Sequence, residues 1–124
     1  METTALIISD QLQDLNRMKN WFPKGVTVKG INAFSAVPNA LKSELPSMII
    51  VRIRDFGDFF SAYEAIRTTP VTENVPLVAI ADIAIGDALK DNVLLKNTTL
   101  MGSSVTDGYM KKIISDEMGI HDHQ

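Results

Sequence analysis

Runs of apolar residues, separated by Pro, Gly and capping residues, divide the chain into segments. The densest run is Met48-Ile49-Ile50-Val51, entered through Leu45-Pro46-Ser47 and followed at once by Arg52-Ile53-Arg54-Asp55-Phe56. An unbroken apolar run bounded by a turn signal predicts a strand buried on both faces, the central strand of a parallel sheet. Thr3 to Ile8 predicts a first strand. Ser9-Asp10 ends it and offers a cap for a helix through Leu12, Leu15, Trp21 and Phe22, stopped by Pro23. Val26 to Val28 predicts a second strand that can continue toward Ile31. Ser35 offers another cap, and Val37, Leu41 and Leu45 recur along one helix face until Pro46 closes it.

After the central strand, Phe59, Phe60, Tyr63 and Ile66 mark a third helix, and Thr68 to Val75 is a polar loop. Pro76 to Ala81 predicts a fourth strand ending at Asp82. Ile85 to Lys96 is weakly helical, with Leu89 and Val93 on one side. Thr98 to Met101 predicts a fifth strand. Thr106 caps a last helix carrying Tyr109, Ile113 and Met118, which Gly119 ends. Strand and helix thus alternate along the chain. This implies right-handed crossovers and an α/β fold: a flavodoxin-like, doubly wound, five-stranded parallel sheet in the order 2-1-3-4-5, with helices on both faces. In such sheets chemistry sits beyond the carboxyl ends of the strands, so Arg52 to Phe56 are expected to face any site.

Composition narrows the choice. A chain of 124 residues is long enough for one domain, expected here over residues 1–119, with residues 120–124 as a disordered tail. Its 45% apolar and 22% charged residues are ordinary for a soluble globular domain. A net charge of −3 gives no general pull toward nucleic acid or anionic membrane, and neither is an expected partner. The absence of cysteine removes disulfides, thiolate metal sites and a Cys nucleophile. No apolar run approaches the roughly 20 residues of a membrane helix, and cytoplasmic location is the default expectation. His121 and His123 in the tail have no convergent partners for a metal, and none is expected. Gly57, Gly86 and Gly102 do not form a phosphate-binding loop of either common spacing.

From Ala5 to about Met118 the residues resemble the receiver domains of two-component response regulators. The stretch that carries the likeness most specifically is Ala65-Ile66-Arg67-Thr68-Thr69-Pro70-Val71-Thr72-Glu73-Asn74-Val75-Pro76, a basic end to the third helix, a Pro/Thr loop and a Pro entry to the fourth strand. Pro46 before an apolar third strand is a second match. The resemblance implies a site of two acidic residues after the first strand holding a divalent metal and an aspartate ending the third strand that accepts a phosphoryl group. A hydroxyl after the fourth strand and a Lys after the fifth complete it. Carried over by position, the acidic pair becomes Ser9 and Asp10, the acceptor Arg52, the hydroxyl Ala81 and the Lys Ser103; Leu100 takes the place of the aromatic switch.

A guanidinium stays protonated at any relevant pH, so it cannot attack phosphorus, and its charge repels a metal. These departures imply a pseudo-receiver: a phosphorylation-independent, non-enzymatic signalling domain that needs no cofactor and acts through protein–protein contact. Arg52 is expected to pair with Asp10 across the top of the sheet, its cation replacing the metal, because an unpaired charge beside buried strands is costly. Asp82 is a possible further partner. Asp55 and Asp58 read as helix-capping residues. The resemblance implies a partner or homodimer surface on the helix 4–strand 5–helix 5 side, and the apolar set Ile83, Ile85, Val93, Leu94, Leu95, Leu100 and Tyr109 is expected to form it. Two other readings stay open: an atypical receiver phosphorylated on a displaced Asp such as Asp55, and a module binding a small anion or nucleotide through Arg52 and Arg54.

Overall fold

The computed structural model describes residues 3–43, 45–92 and 97–119. Strands β1 (Thr3–Ile8), β2 (Val26–Ile31), β3 (Met48–Ile53), β4 (Leu77–Ala81) and β5 (Thr98–Gly102) alternate with helices α1 (Leu12–Lys19), α2 (Val37–Ala40), α3 (Phe56–Thr68), α4 (Ile83–Asn92) and α5 (Asp107–Glu117). All neighbouring strands are parallel, and the sheet order is β2-β1-β3-β4-β5, as the alternation of segments implies. This is the flavodoxin-like fold. Among the described residues no helix is long and apolar enough to cross a membrane.

Side chains alternate across each strand, so the sheet divides the core into two layers. Leu6, Ile8, Ile49, Val51, Ile53, Leu77 and Ala79 pack with Val37, Phe59, Ala62, Ile66 and Leu89 on the α2–α3–α4 face. Ile7, Met48, Ile50, Val78 and Ile80 pack with Leu15, Met18, Trp21, Met110 and Ile114 on the α1–α5 face. Arg52 follows Met48 and Ile50 in this alternation and therefore belongs to the α1–α5 face. The loop after α3 is fastened by Arg67, whose Nη1 donates to the carbonyls of Thr72, Glu73 and Val75 at 3.2, 3.2 and 2.8 Å. Buried Thr72 donates its hydroxyl to the Ile66 carbonyl at 2.7 Å. The basic residue and the Thr of the Arg67–Pro76 stretch are thus structural, which is why they mark a fold more than a chemistry.

Several boundaries differ from the sequence expectation. Helix α1 ends at Lys19, short of Pro23, and its N-cap is Gln11, without a side-chain cap bond. Trp21 is still buried, in the turn that follows, whereas Leu12 is exposed. Ser35 does not cap a helix that reaches Leu45. It lies inside a 3-10 turn, Phe34–Ala36, and α2 continues only to Ala40. Past Leu41 the backbone bonds shorten from i−4 to i−3, Lys42 to Asn39 and Ser43 to Ala40, which winds the helix down; Leu45 is left 72% exposed. β3 runs two residues past its apolar run, so Arg52 is a strand residue rather than part of the following loop. Residues 93–96 and the expected tail at 120–124 lie outside the described residues.

Candidate functional site

The parallel register brings the carboxyl ends of β1, β3, β4 and β5 to one rim, where Ile8 lies beside Val51, Arg52 beside Ile80, and Ala81 beside Gly102. Ser9, Arg52, Asp82 and Ser103 follow from these positions. Two arginine networks occupy the rim. In the first, Arg52 turns its guanidinium along β4: Nη1 donates to the carbonyls of Ile53 at 2.8 Å and Ile80 at 3.3 Å, and Nη2 donates to Asp82 Oδ1 at 3.1 Å. The Ser103 hydroxyl and the Arg52 guanidinium together hold the Asp82 carboxyl below the usual carboxylate range. Three strand ends, β3, β4 and β5, are joined through that one carboxylate.

The second network belongs to Arg54. Its Nη1 lies 2.9 Å from Asp10 Oδ1 and 2.7 Å from Asp14 Oδ2. Ser9 sits between them, donating its hydroxyl to Asp14 at 2.7 Å and accepting the Gln11 N–H at 3.1 Å. Partial burial pushes Asp14 up, but hydrogen bonds from Arg54 and Ser9, with the Arg54 charge, outweigh it, so its carboxyl lies below the ordinary range. The bond to Asp14 in turn raises Arg54 further above its usual value.

The expected Asp10–Arg52 pair is therefore replaced by two others, Asp10 with Arg54 and Arg52 with Asp82. The reason is geometric. The Ile80 carbonyl and the Asp82 carboxylate hold the Arg52 guanidinium on the β4 side, and Arg54 serves the β1–α1 turn. Asp14 is a member of the Arg54 network that the sequence does not single out. It stands in the first turn of α1, where the helix dipole favours an acidic side chain, and that turn carries it to the strand ends. A third network, also unread, ties α1 to α5. Arg17 Nε and Trp21 Nε1 both donate to Asp107 Oδ1, at 2.8 and 2.7 Å, and Arg17 Nη2 donates to the Val105 carbonyl at 3.0 Å. The bonds from Trp21 and Arg17 keep Asp107 ionised below its usual range.

Asp55 is the N-cap of α3, its carboxylate accepting the Asp58 N–H at 3.1 Å; Asp58 does not cap but lies in the first turn, because the helix starts at Phe56. Of the expected surface residues, Ile83 and Tyr109 are 80% and 51% exposed, while Ile85 and Leu100 are half-buried against the core. Val93, Leu94 and Leu95 lie outside the described residues, as do His121 and His123. Gly57, Gly86 and Gly102 fall in α3, α4 and β5 and share no loop.

No protein-family model matches the chain, and no curated protein matches it. Solved structures do. The chain is similar to the chemotaxis response regulator CheY4 of Vibrio cholerae, with a TM-score of 0.78 at 10% identity over 94% of this chain and 99% of that one. It is similar to the receiver domain of a sensor histidine kinase from Pseudomonas aeruginosa, with a TM-score of 0.75 at 16% identity over 96% and 99%. A receiver domain from a DNA-binding response regulator of Colwellia psychrerythraea gives 0.73 at 23% identity over 92% and 96%. The chain has the receiver-domain fold. Within that receiver fold, the rim at the strand ends carries guanidinium groups paired with carboxylates, and Arg52 has only 15% of its side chain exposed.

Proposed function

We propose that this chain is a phosphorylation-independent signalling domain, a receiver fold that works through protein–protein contact. The observation that carries the reading is Arg52 at the end of β3, its guanidinium committed to Asp82 and two backbone carbonyls. By the resemblance of the sequences, that is the position from which a carboxylate would attack phosphorus. A guanidinium has no lone pair to offer at neutral pH and holds its charge permanently. Ala81 supplies no hydroxyl at the next position, and Ser103 supplies no ammonium at the last. With nucleophile and helper groups replaced together, an aspartyl-phosphate switch has nothing to run on.

The structure of the Pseudomonas receiver domain holds a magnesium ion in its active-site cleft. The residues here do not fit such an ion. Asp10 is the one carboxylate of the expected acidic pair, and Arg54 Nη1 already lies 2.9 Å from it. Among the described residues, no three carboxylate or imidazole groups converge to hold a metal.

The two other readings lose support from the same geometry. Asp55 spends its carboxylate on the first turn of α3. An anion arriving at Arg52 or Arg54 would have to displace Asp82, Asp10 or Asp14. Contact in this account runs through the α4–β5–α5 side, where Ile83 and Tyr109 stand exposed, either to a signalling partner or to a second copy of the chain. The reading is tested by incubating the protein with acetyl phosphate and magnesium and measuring its intact mass. The expected result is an unchanged mass. A gain of one phosphoryl group, localised to a defined aspartate by peptide mapping, would overturn it.

A further inference from the structure

Ser9, Asp10 and Asp14 come from one short segment, the turn from β1 into α1, and their oxygens converge on a single nitrogen. Arg54 Nη1 lies 2.9 Å from Asp10 Oδ1 and 2.7 Å from Asp14 Oδ2, and 3.5 Å from Ser9 Oγ. Two carboxylates and a hydroxyl around one point are the ligands a hard divalent cation takes, with water completing its shell. Here the point is filled by a group that belongs to the chain. Arg54 reaches it from the end of β3, and its side chain is 29% exposed, with Asp14 at 22%.

We infer that Arg54 is a resident cation: its guanidinium permanently neutralises the Ser9–Asp14 turn and closes that turn to divalent metal. This inference rests on the misfit to magnesium given under the proposed function and deepens it, for it is carried by Arg54 and the β1–α1 turn, whereas the loss of phosphorylation is carried by Arg52. The physical consequence is a fixed geometry. A metal held by carboxylates exchanges with solvent and can be chelated away, whereas a guanidinium bonded to the chain just after β3 cannot leave. The β1–α1 turn is therefore held in one arrangement at every metal concentration. Asp10 and Asp14 carry two negative charges that Arg54 offsets from within contact distance, and Arg52 adds to the positive field at Asp14. Remove the Arg54 cation, and two close carboxylates are left that favour any cation from solvent.

Manganese(II) alone is the probe, read by paramagnetic broadening of backbone amides in 15N-labelled protein. In the wild-type chain, millimolar Mn2+ is expected to cause no selective broadening at residues 9–14. In Arg54→Met, which keeps most of the aliphatic stem, the same amides are expected to broaden selectively, with affinity raised at least about tenfold over wild type. Adding Asp14→Asn to Arg54→Met is expected to remove the effect. Arg54→Lys, which keeps a cation, is expected to stay metal-blind. Selective broadening of residues 9–14 in the wild type overturns the inference, as does a folded Arg54→Met that gains no Mn2+ binding. Should Arg54→Met fold only with Mn2+ present, the inference is supported; should it not fold at all, the wild-type and Arg54→Lys titrations decide. A wild type that binds Mn2+ but gains no phosphoryl mass would sink this inference and the misfit to a divalent ion, and leave the loss of phosphorylation at Arg52 standing.

Discussion

Replacing Phe59 with alanine is expected to lower the unfolding free energy by about 3–5 kcal/mol. Phe59 is fully buried, with its ring centroid 5.4 Å from Phe60 and 5.7 Å from Tyr63. It fixes α3 on the face of the sheet formed by Ile49, Val51 and Ile53. Because β3 is hydrogen-bonded on both sides, the sheet cannot move in to fill the gap. The cost therefore includes the cavity as well as the lost transfer energy. Domains of this size are stable by roughly 5–15 kcal/mol, so the variant should lose about a fifth or more of its margin. Urea unfolding should show a lower midpoint at an unchanged slope. Phe60→Ala is the control. Phe60 is 38% exposed, so its loss should be clearly smaller. Equal losses at the two positions would mean that Phe59 does not anchor the layer.

The second large effect is expected at Asp14. Asp14→Ala removes the carboxylate that Arg54 approaches at 2.7 Å and that accepts the Ser9 hydroxyl at 2.7 Å. A hydrogen bond to a charged group is worth about 1.5–3 kcal/mol, and that is the expected destabilisation at pH 7. The pH dependence has a definite sign. Asp14 is held below its ordinary value of 3.8 in the folded chain. A depressed carboxyl contributes stability that is fully present above the unfolded value and is lost as pH falls through the folded one. The wild type should therefore lose its advantage over Asp14→Ala on acidification below that ordinary value, and the two unfolding curves should converge. A gap that stays constant down to the acid limit would show that Asp14 acts through packing and not through charge.

How much of this was legible in the residues follows from which forces act locally. Met48–Val51 and Pro76–Ala81 read as strands because each is an unbroken apolar run, and the structure places β3 at the centre of the sheet and β4 beside it, paired on both sides. Asp55 and Thr106 read as caps because a cap bonds to its own next turn; their side chains accept the N–H groups of Asp58 and Tyr109. The second helix was over-read. Val37, Leu41 and Leu45 have helical spacing, yet spacing alone does not show that the chain tightens and unwinds after Leu41.

The ion pairs were the least legible. Arg52 and Arg54 sit two residues apart at the end of one strand, and both point toward the same rim. Which carboxylate each takes depends on strands that are not neighbours in sequence, and on the Ile80 carbonyl that holds Arg52 on the β4 side. Asp14 and the Arg17–Trp21–Asp107 network escaped for a related reason. The latter joins residues 90 and 86 positions apart, and no local pattern connects them.

The proposed loss of covalent switching rests on Arg52, which stands where, by the resemblance, a nucleophilic carboxylate is required. The most direct measurement is a 1H–15N correlation spectrum of the domain, recorded before and after adding magnesium with beryllium fluoride, an analogue that binds an acceptor carboxylate as a phosphoryl group does. The account expects the amides of Ser9, Asp10, Arg52 to Asp55, Asp82 and Ser103 to stay where they are. Saturable shifts concentrated at those residues would contradict it.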